Sequence, residues 1–206
     1  SEGKAGRMGE RLMAVVVEGD RARVYLSPTV EMEMAAHYAQ PQWTPETPLP
    51  HNPRDFKTPN YGLTSYGDLF TPRQLVALTT FSDLVHEARE QVSIDALSAH
   101  VRDDDRHLSA GGMGASAYAD AVAVYLGLAV SKMTAFLVTL ARWRSGEGKS
   151  APAFGRQALP MVWDYAELNP FAGAGGDFMG VIDGIAKVIV NGPTIACGQV
   201  RQADAS

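Results

Sequence analysis

Apolar positions in this chain alternate in short runs at the front and recur at helical spacing through the middle. Residues 11–17 (RLMAVVV) and 22–26 (ARVYL) are β-rich and flank Glu18-Gly19-Asp20-Arg21, a glycine-containing turn, so a hairpin is predicted there. Ser27-Pro28-Thr29 then opens a helix reaching Tyr38. Proline sits at an early position, and Glu31 and Glu33 lie near the positive end of the helix dipole. Residues 40–60 hold six prolines. Proline removes an amide donor and fixes φ, which predicts an extended, irregular crossing.

The strongest helix start is Thr71-Pro72-Arg73-Gln74: a capping Thr, Pro at the first helical position and Gln at capping-box spacing. Leu75, Leu78, Phe81, Val85, Ala88 and Val92 follow at helical spacing as its buried stripe. Residues 102–107 (RDDDRH) read as a solvated loop, because carboxylates adjacent along a chain point apart and do not converge on a metal. After the glycine joint at 111–114, residues 121–143 (AVAVYLGLAVSKMTAFLVTLARW) are apolar on nearly every face, which predicts a core helix buried on several sides. Lys132 at mid-span suits lipid poorly and is expected to snorkel or to meet a carboxylate. Residues 145–149 (SGEGK) end that helix; they lack the upstream glycine of a phosphate loop.

From Pro160 the pattern is helical again and breaks at Asn169-Pro170. Residues 177–190 form one more helix, and 194–200 (TIACGQV) read as a strand. The expected fold is therefore mainly α with minor β, an α+β arrangement in three stretches. Residues 1–60 supply the hairpin, a short helix and the proline-rich crossing; 61–150 the helical core; 151–206 a helix-loop-helix and a terminal strand.

Composition narrows the function classes. The 206 residues are 46% hydrophobic and 20% charged, a globular balance. A net charge of −5 argues against coating nucleic acid by charge alone. Cys197 is the single cysteine, which rules out an internal disulfide or a cysteine-based zinc site and fits a reducing cytoplasm. Residues 1–11 are polar and show no secretory signal, and no membrane partner is expected. The chain opens without Met and closes on GQVRQADAS, so both ends read as cut from a longer polypeptide.

Two stretches are candidates for chemistry. Residues 169–176 (NPFAGAGG) allow two readings. Asn169-Pro170-Phe171 resembles, one residue short, the loop of amino-methyltransferases whose amide and carbonyl accept from the target amino group while the aromatic stacks on a flipped base. Alternatively, Gly173 and Gly175 belong to a glycine-rich turn approaching the methionine end of S-adenosylmethionine, which requires a buried strand before it and a helix after it. A plain helix-breaking loop is the simpler reading. The second stretch is basic: Arg142, Arg144, Lys149 and Arg156, opposed only by Glu147 and interleaved with Trp143, suit a phosphate backbone or a solvated helix end. The histidines (His37, His51, His86, His100, His107) show no ligand spacing, and no metal site is expected.

Three stretches together resemble one family: residues 52–85 (NPRDFKTPNYGLTSYGDLFTPRQLVALTTFSDLV), 121–143, and 154–171 (FGRQALPMVWDYAELNPF). They are similar to the middle of the large zinc-ribbon-containing, adenine-specific DNA methylases of bacteria and archaea. The resemblance implies an interior fragment of an S-adenosylmethionine-dependent enzyme that methylates an exocyclic amino group of a DNA base. In that family the cofactor loop and zinc-ribbon cysteines lie upstream and the Asp-Pro-Pro-Tyr loop downstream. This chain contains none of them, which implies an inactive fragment, with DNA and the remainder of the polypeptide as its partners. It also implies that residues 194–200 return toward a Rossmann-like sheet, with Asp204 facing the cofactor adenine. The alternatives are a self-contained methyltransferase using NPFAGAGG and a non-catalytic helical scaffold or protein-binding module.

Overall fold

The computed structural model describes residues 2–192. The expected strand at 194–200 and Asp204 lie outside them. Among the described residues the fold is mixed α+β, with four helices and two two-stranded antiparallel sheets.

The first hairpin forms as its pattern predicts: β1 (Val15–Glu18) pairs with β2 (Arg23–Leu26), setting Val16 opposite Tyr25 and Glu18 opposite Arg23. Helix α1 (Val30–His37) starts just after the expected opening Ser27-Pro28-Thr29, with Thr29 as its cap. The Thr29 hydroxyl accepts from the Met32 amide, and Pro28 stands just outside the helix. The capping box predicted at Thr71 is complete. In α2 (Pro72–Ser98) the Gln74 amide donates to the Thr71 hydroxyl at 3.2 Å, and the Thr71 amide donates to Gln74 Oε1 at 2.9 Å. Its stripe faces inward, with Leu75 and Leu78 buried and Phe81, Val85, Ala88 and Val92 partly so.

The apolar run at 121–143 is not one helix. Helix α3 (Ala115–Met133) begins six residues earlier and stops ten residues short of Trp143. Its start is fixed by the loop at 102–107, which is solvated as expected except at the partly buried Asp103. Asp103 accepts from the Ser116 amide (3.2 Å) and hydroxyl (2.5 Å), satisfying a helix-start donor, and Asp104 accepts from the Met113 amide (3.1 Å) just before the helix. A side chain at Gly114 would strike Asp103. Nor is α3 buried all round: Tyr118, Val124, Tyr125 and Leu128 are exposed, and Lys132 reaches solvent.

Past Met133 the chain turns into the core. Leu137, Val138, Leu140 and Ala141 are buried, and the amide and hydroxyl of Thr139 both donate to the Leu69 carbonyl. Leu49, Leu69, Val138, Leu140, Ala141 and Leu159 form one cluster, drawing on the proline-rich crossing, the middle and the 151–206 stretch together. A second cluster of Leu78, Met133 and Leu137 joins α2 to the end of α3.

Residues 142–151 form a second hairpin where a helix end was expected. Strand β3 (Arg142–Arg144) pairs with β4 (Lys149–Ala151), and the glycine-containing segment 145–148 is its turn, with Gly148 at φ +60°. The helix expected from Pro160 is also absent. Residues 154–168 run irregularly and are pinned by backbone contacts, Leu159 beside Phe56 and Tyr165 beside Arg142. Helix α4 (Phe178–Asn191) appears where the sequence put it, capped by Asp177, whose Oδ1 accepts from the Gly180 amide at 2.9 Å. No helix among the described residues is long and apolar enough to cross a membrane.

Candidate nucleic-acid interface

Strand geometry brings three of the four expected basic residues together. Arg142 and Arg144 are two apart on β3 and share a face; Lys149 is the direct cross-strand partner of Arg144. All three are exposed. The fourth, Arg156, is exposed in the loop beyond β4 and lies on neither strand of the ribbon. Glu147 in the turn holds Arg144 at 3.0 Å and Lys149 at 2.5 Å. Hydrogen bonds from Lys149 and then Arg144 hold its carboxyl below the usual range. Exposed pairs of this kind are weak and exchange readily for another anion.

Sequence reasoning missed what stands behind this ribbon. Trp143 points to the opposite face from the two arginines. There it meets Tyr25 of the first hairpin edge-on at 6.3 Å, and its indole N–H donates to the Tyr25 hydroxyl at 3.1 Å. Arg23 donates from Nε to the Gly148 carbonyl at 3.3 Å, while its guanidinium stands 3.5 Å from Glu18. Nothing in the spacing of residues 23 and 148 signals this contact, because the hairpins meet through tertiary packing.

The NPFAGAGG loop is an ordered lead into α4. Asn169 Oδ1 accepts from the Phe171 amide at 3.0 Å, closing a local turn, and the Pro170 carbonyl accepts from the Phe178 amide at 3.0 Å. Phe171 leans on Phe81 at 5.6 Å, and Phe81 stacks on Phe178 at 4.5 Å. Gly176, at φ +96°, lies so close to Phe136 that a Cβ would come within 2.9 Å of its ring. The glycines have the following helix but no preceding strand, since residues 160–168 form none. Gly173 has open space around it, whereas Gly175 lines a groove of about 890 Å³ between α3 and α4, with Tyr125, Leu128, Lys132, Phe136 and Ile185.

Two polar networks brace this framework. Asp120 on α3 accepts from Arg89 at 2.6 Å and from the Leu108 amide at 3.0 Å, and lies 3.1 Å from His107 Nδ1. Arg73 grips Glu167 with two hydrogen bonds of 2.9 and 2.8 Å, and Thr71 adds a longer one at 3.4 Å. Beside them the Tyr165 hydroxyl donates to Glu10, and burial followed by that bond pushes its ionisation well above the ordinary phenol range. Among the described residues no three His, Cys, Asp or Glu side chains converge as a metal site would require. No family model, curated protein or solved structure matches the chain.

Proposed function

We propose that this chain is an interior segment of an S-adenosylmethionine-dependent DNA methyltransferase of the zinc-ribbon-containing, adenine-specific kind, working in the cytoplasm. Its own part is to hold DNA by the phosphate backbone while the catalytic elements elsewhere in the polypeptide methylate an exocyclic amino group. The enzyme class rests on the resemblance of residues 52–85, 121–143 and 154–171. The observation that carries the DNA-holding role is the exposed ribbon presenting Arg142, Arg144 and Lys149 on one face of an otherwise acidic chain. Guanidinium and ammonium groups in a row neutralise successive phosphates and carry no base information, so the ribbon positions DNA without reading it.

The segment by itself transfers no methyl group in this reading. Asn169 spends its side-chain oxygen on a local turn, and Gly173 and Gly175 lack the strand that a cofactor-binding turn needs. Two measurements test the proposal. Changing Arg142 and Arg144 to Ala in the whole enzyme should weaken DNA binding and flatten its salt dependence; an unchanged affinity and slope removes the ribbon from the DNA path. Calorimetric titration of the chain with S-adenosylmethionine should show no micromolar binding; binding that Gly173→Val abolishes would establish a self-contained site instead.

One observation favours a second reading, a protein-binding helical module. The apolar groove between α3 and α4 and the exposed flank of α4 form a surface suited to another protein element. That reading is preferred if neither DNA nor cofactor binds.

A further inference from the structure

The two hairpins are far apart in sequence yet meet at the tip of the basic ribbon, and this contact adds a residue that the run 142–156 does not contain. Arg23 enters from β2 and donates to the carbonyl of Gly148, the turn residue next to Lys149. Its guanidinium therefore sits at the same turn that carries Glu147, between Arg144 and Lys149 in sequence. The positively charged groups of the two hairpins are Arg21, Arg23, Arg142, Arg144 and Lys149. The acids there are Glu18, Asp20 and Glu147, leaving a local excess of positive charge on a chain whose net charge is −5.

The neighbouring aromatic pair fixes the register between the hairpins. Trp143 and Tyr25 join by ring edge and hydrogen bond, and Tyr25 projects from the same face of β2 as Arg23, two residues away. Holding Tyr25 therefore holds Arg23 at the ribbon tip. A charge in a fixed place neutralises a phosphate at less entropic cost than the same charge on a free hairpin.

We propose that Arg23 is a further phosphate-contacting residue of the DNA surface and that Tyr25 is the residue positioning it, so that both hairpins act as one backbone clamp. This rests on the DNA-holding role proposed above for the ribbon. The ligand chemistry is the phosphodiester backbone of duplex DNA, independent of sequence.

The experiment uses the 206-residue chain and a fluorescently labelled duplex, with anisotropy measured across a series of low salt concentrations. Four phosphate contacts give a log–log salt slope of about −3.6. Arg23→Gln should make it shallower by about 0.9, the share of one phosphate. Tyr25→Ala, which removes no charge, should lose the same share, and adding Arg23→Gln to it should change nothing more. If Arg23→Gln keeps the full slope while Arg142→Gln with Arg144→Gln reduces it, the clamp is wrong and the ribbon stands. If the unmodified chain binds with no salt dependence, both fail. If Tyr25→Ala keeps the full slope while Arg23→Gln lowers it, the positioning role is overturned. Circular dichroism of each variant separates loss of contact from loss of fold.

Discussion

Arg89 on α2 and Asp120 on α3 meet at 2.6 Å, and the same carboxylate takes the Leu108 amide on its other oxygen. One side chain thus ties together both long helices and the loop between them. The Leu108 amide, then Arg89, holds the Asp120 carboxyl below its ordinary range.

The sign of the resulting pH dependence is fixed. A carboxyl lowered in the folded state stabilises the fold fully above its unfolded value, about 3.9 for Asp, and that support disappears as pH falls through the folded value. Asp120→Asn should lower the melting temperature at neutral pH and lose less than the native chain on going from pH 5 to pH 3. Parallel melting curves for the two proteins over that range would show that Asp120 supplies none of the acid sensitivity.

Tyr165 has the opposite sign. Its neutral phenol is favoured by burial and by donation to Glu10, so the stability it supplies is intact below the ordinary phenol value, about 10, and is lost as pH rises through its raised folded value. Absorbance titration at alkaline pH should contain a late tyrosinate component that Tyr165→Phe removes. A Tyr165→Phe titration that overlays the native one would contradict this assignment.

Local devices and long-range packing differed in how far the sequence disclosed them. The capping box at Thr71 and Gln74, the Asp177 cap of α4 and the turn around Gly19 are local devices, each settled by residues within a few positions of one another. Residues 134–151 are different. Phe136-Leu137-Val138-Thr139-Leu140-Ala141 is apolar except at Thr139 and has no period, and a period is what separates a helix from a chain buried on all sides. The Leu69 carbonyl and the core cluster around it decided that stretch, and neither lies nearby in sequence. The basic residues of the ribbon were legible as a composition, whereas their shared face, and the approach of Arg23, required the hairpin.

Local devices also give a quantitative expectation. Thr71→Ala removes the hydroxyl that accepts from Gln74 and touches Glu167, and should cost about 1 kcal/mol in denaturant unfolding. Thr71→Ser keeps both bonds and should lie much nearer the native value. Equal stability of all three proteins would mean that the capping box contributes nothing.

The glycine-rich loop separates backbone strain from crowding. Gly173 has φ +65° and open space, so Gly173→Ala should cost roughly 1–2 kcal/mol from conformation alone. At Gly176 the added methyl also meets the Phe136 ring, and overpacking of this sort adds roughly 1–3 kcal/mol. Unfolding midpoints should therefore fall in the order native, Gly173→Ala, Gly176→Ala. The reverse order would mean that the close approach of Gly176 to the Phe136 ring adds nothing to the cost.

Helix α4 also governs how the isolated chain behaves as a colloid. Val188 and Val190 are 72% and 80% exposed, Ile189 between them is exposed too, and so is Met179 in the first turn of the helix. Salts excluded from protein surfaces, such as sulfate, raise the cost of wetting such a flank. Phosphate contacts weaken in any salt, whereas contacts between apolar flanks strengthen in sulfate. Light scattering in rising sulfate and in rising chloride should therefore diverge, with particles growing in sulfate alone and an α4 variant carrying Val188→Lys staying dispersed. Any buffer chosen to quiet the ribbon will accordingly determine whether the chains remain apart.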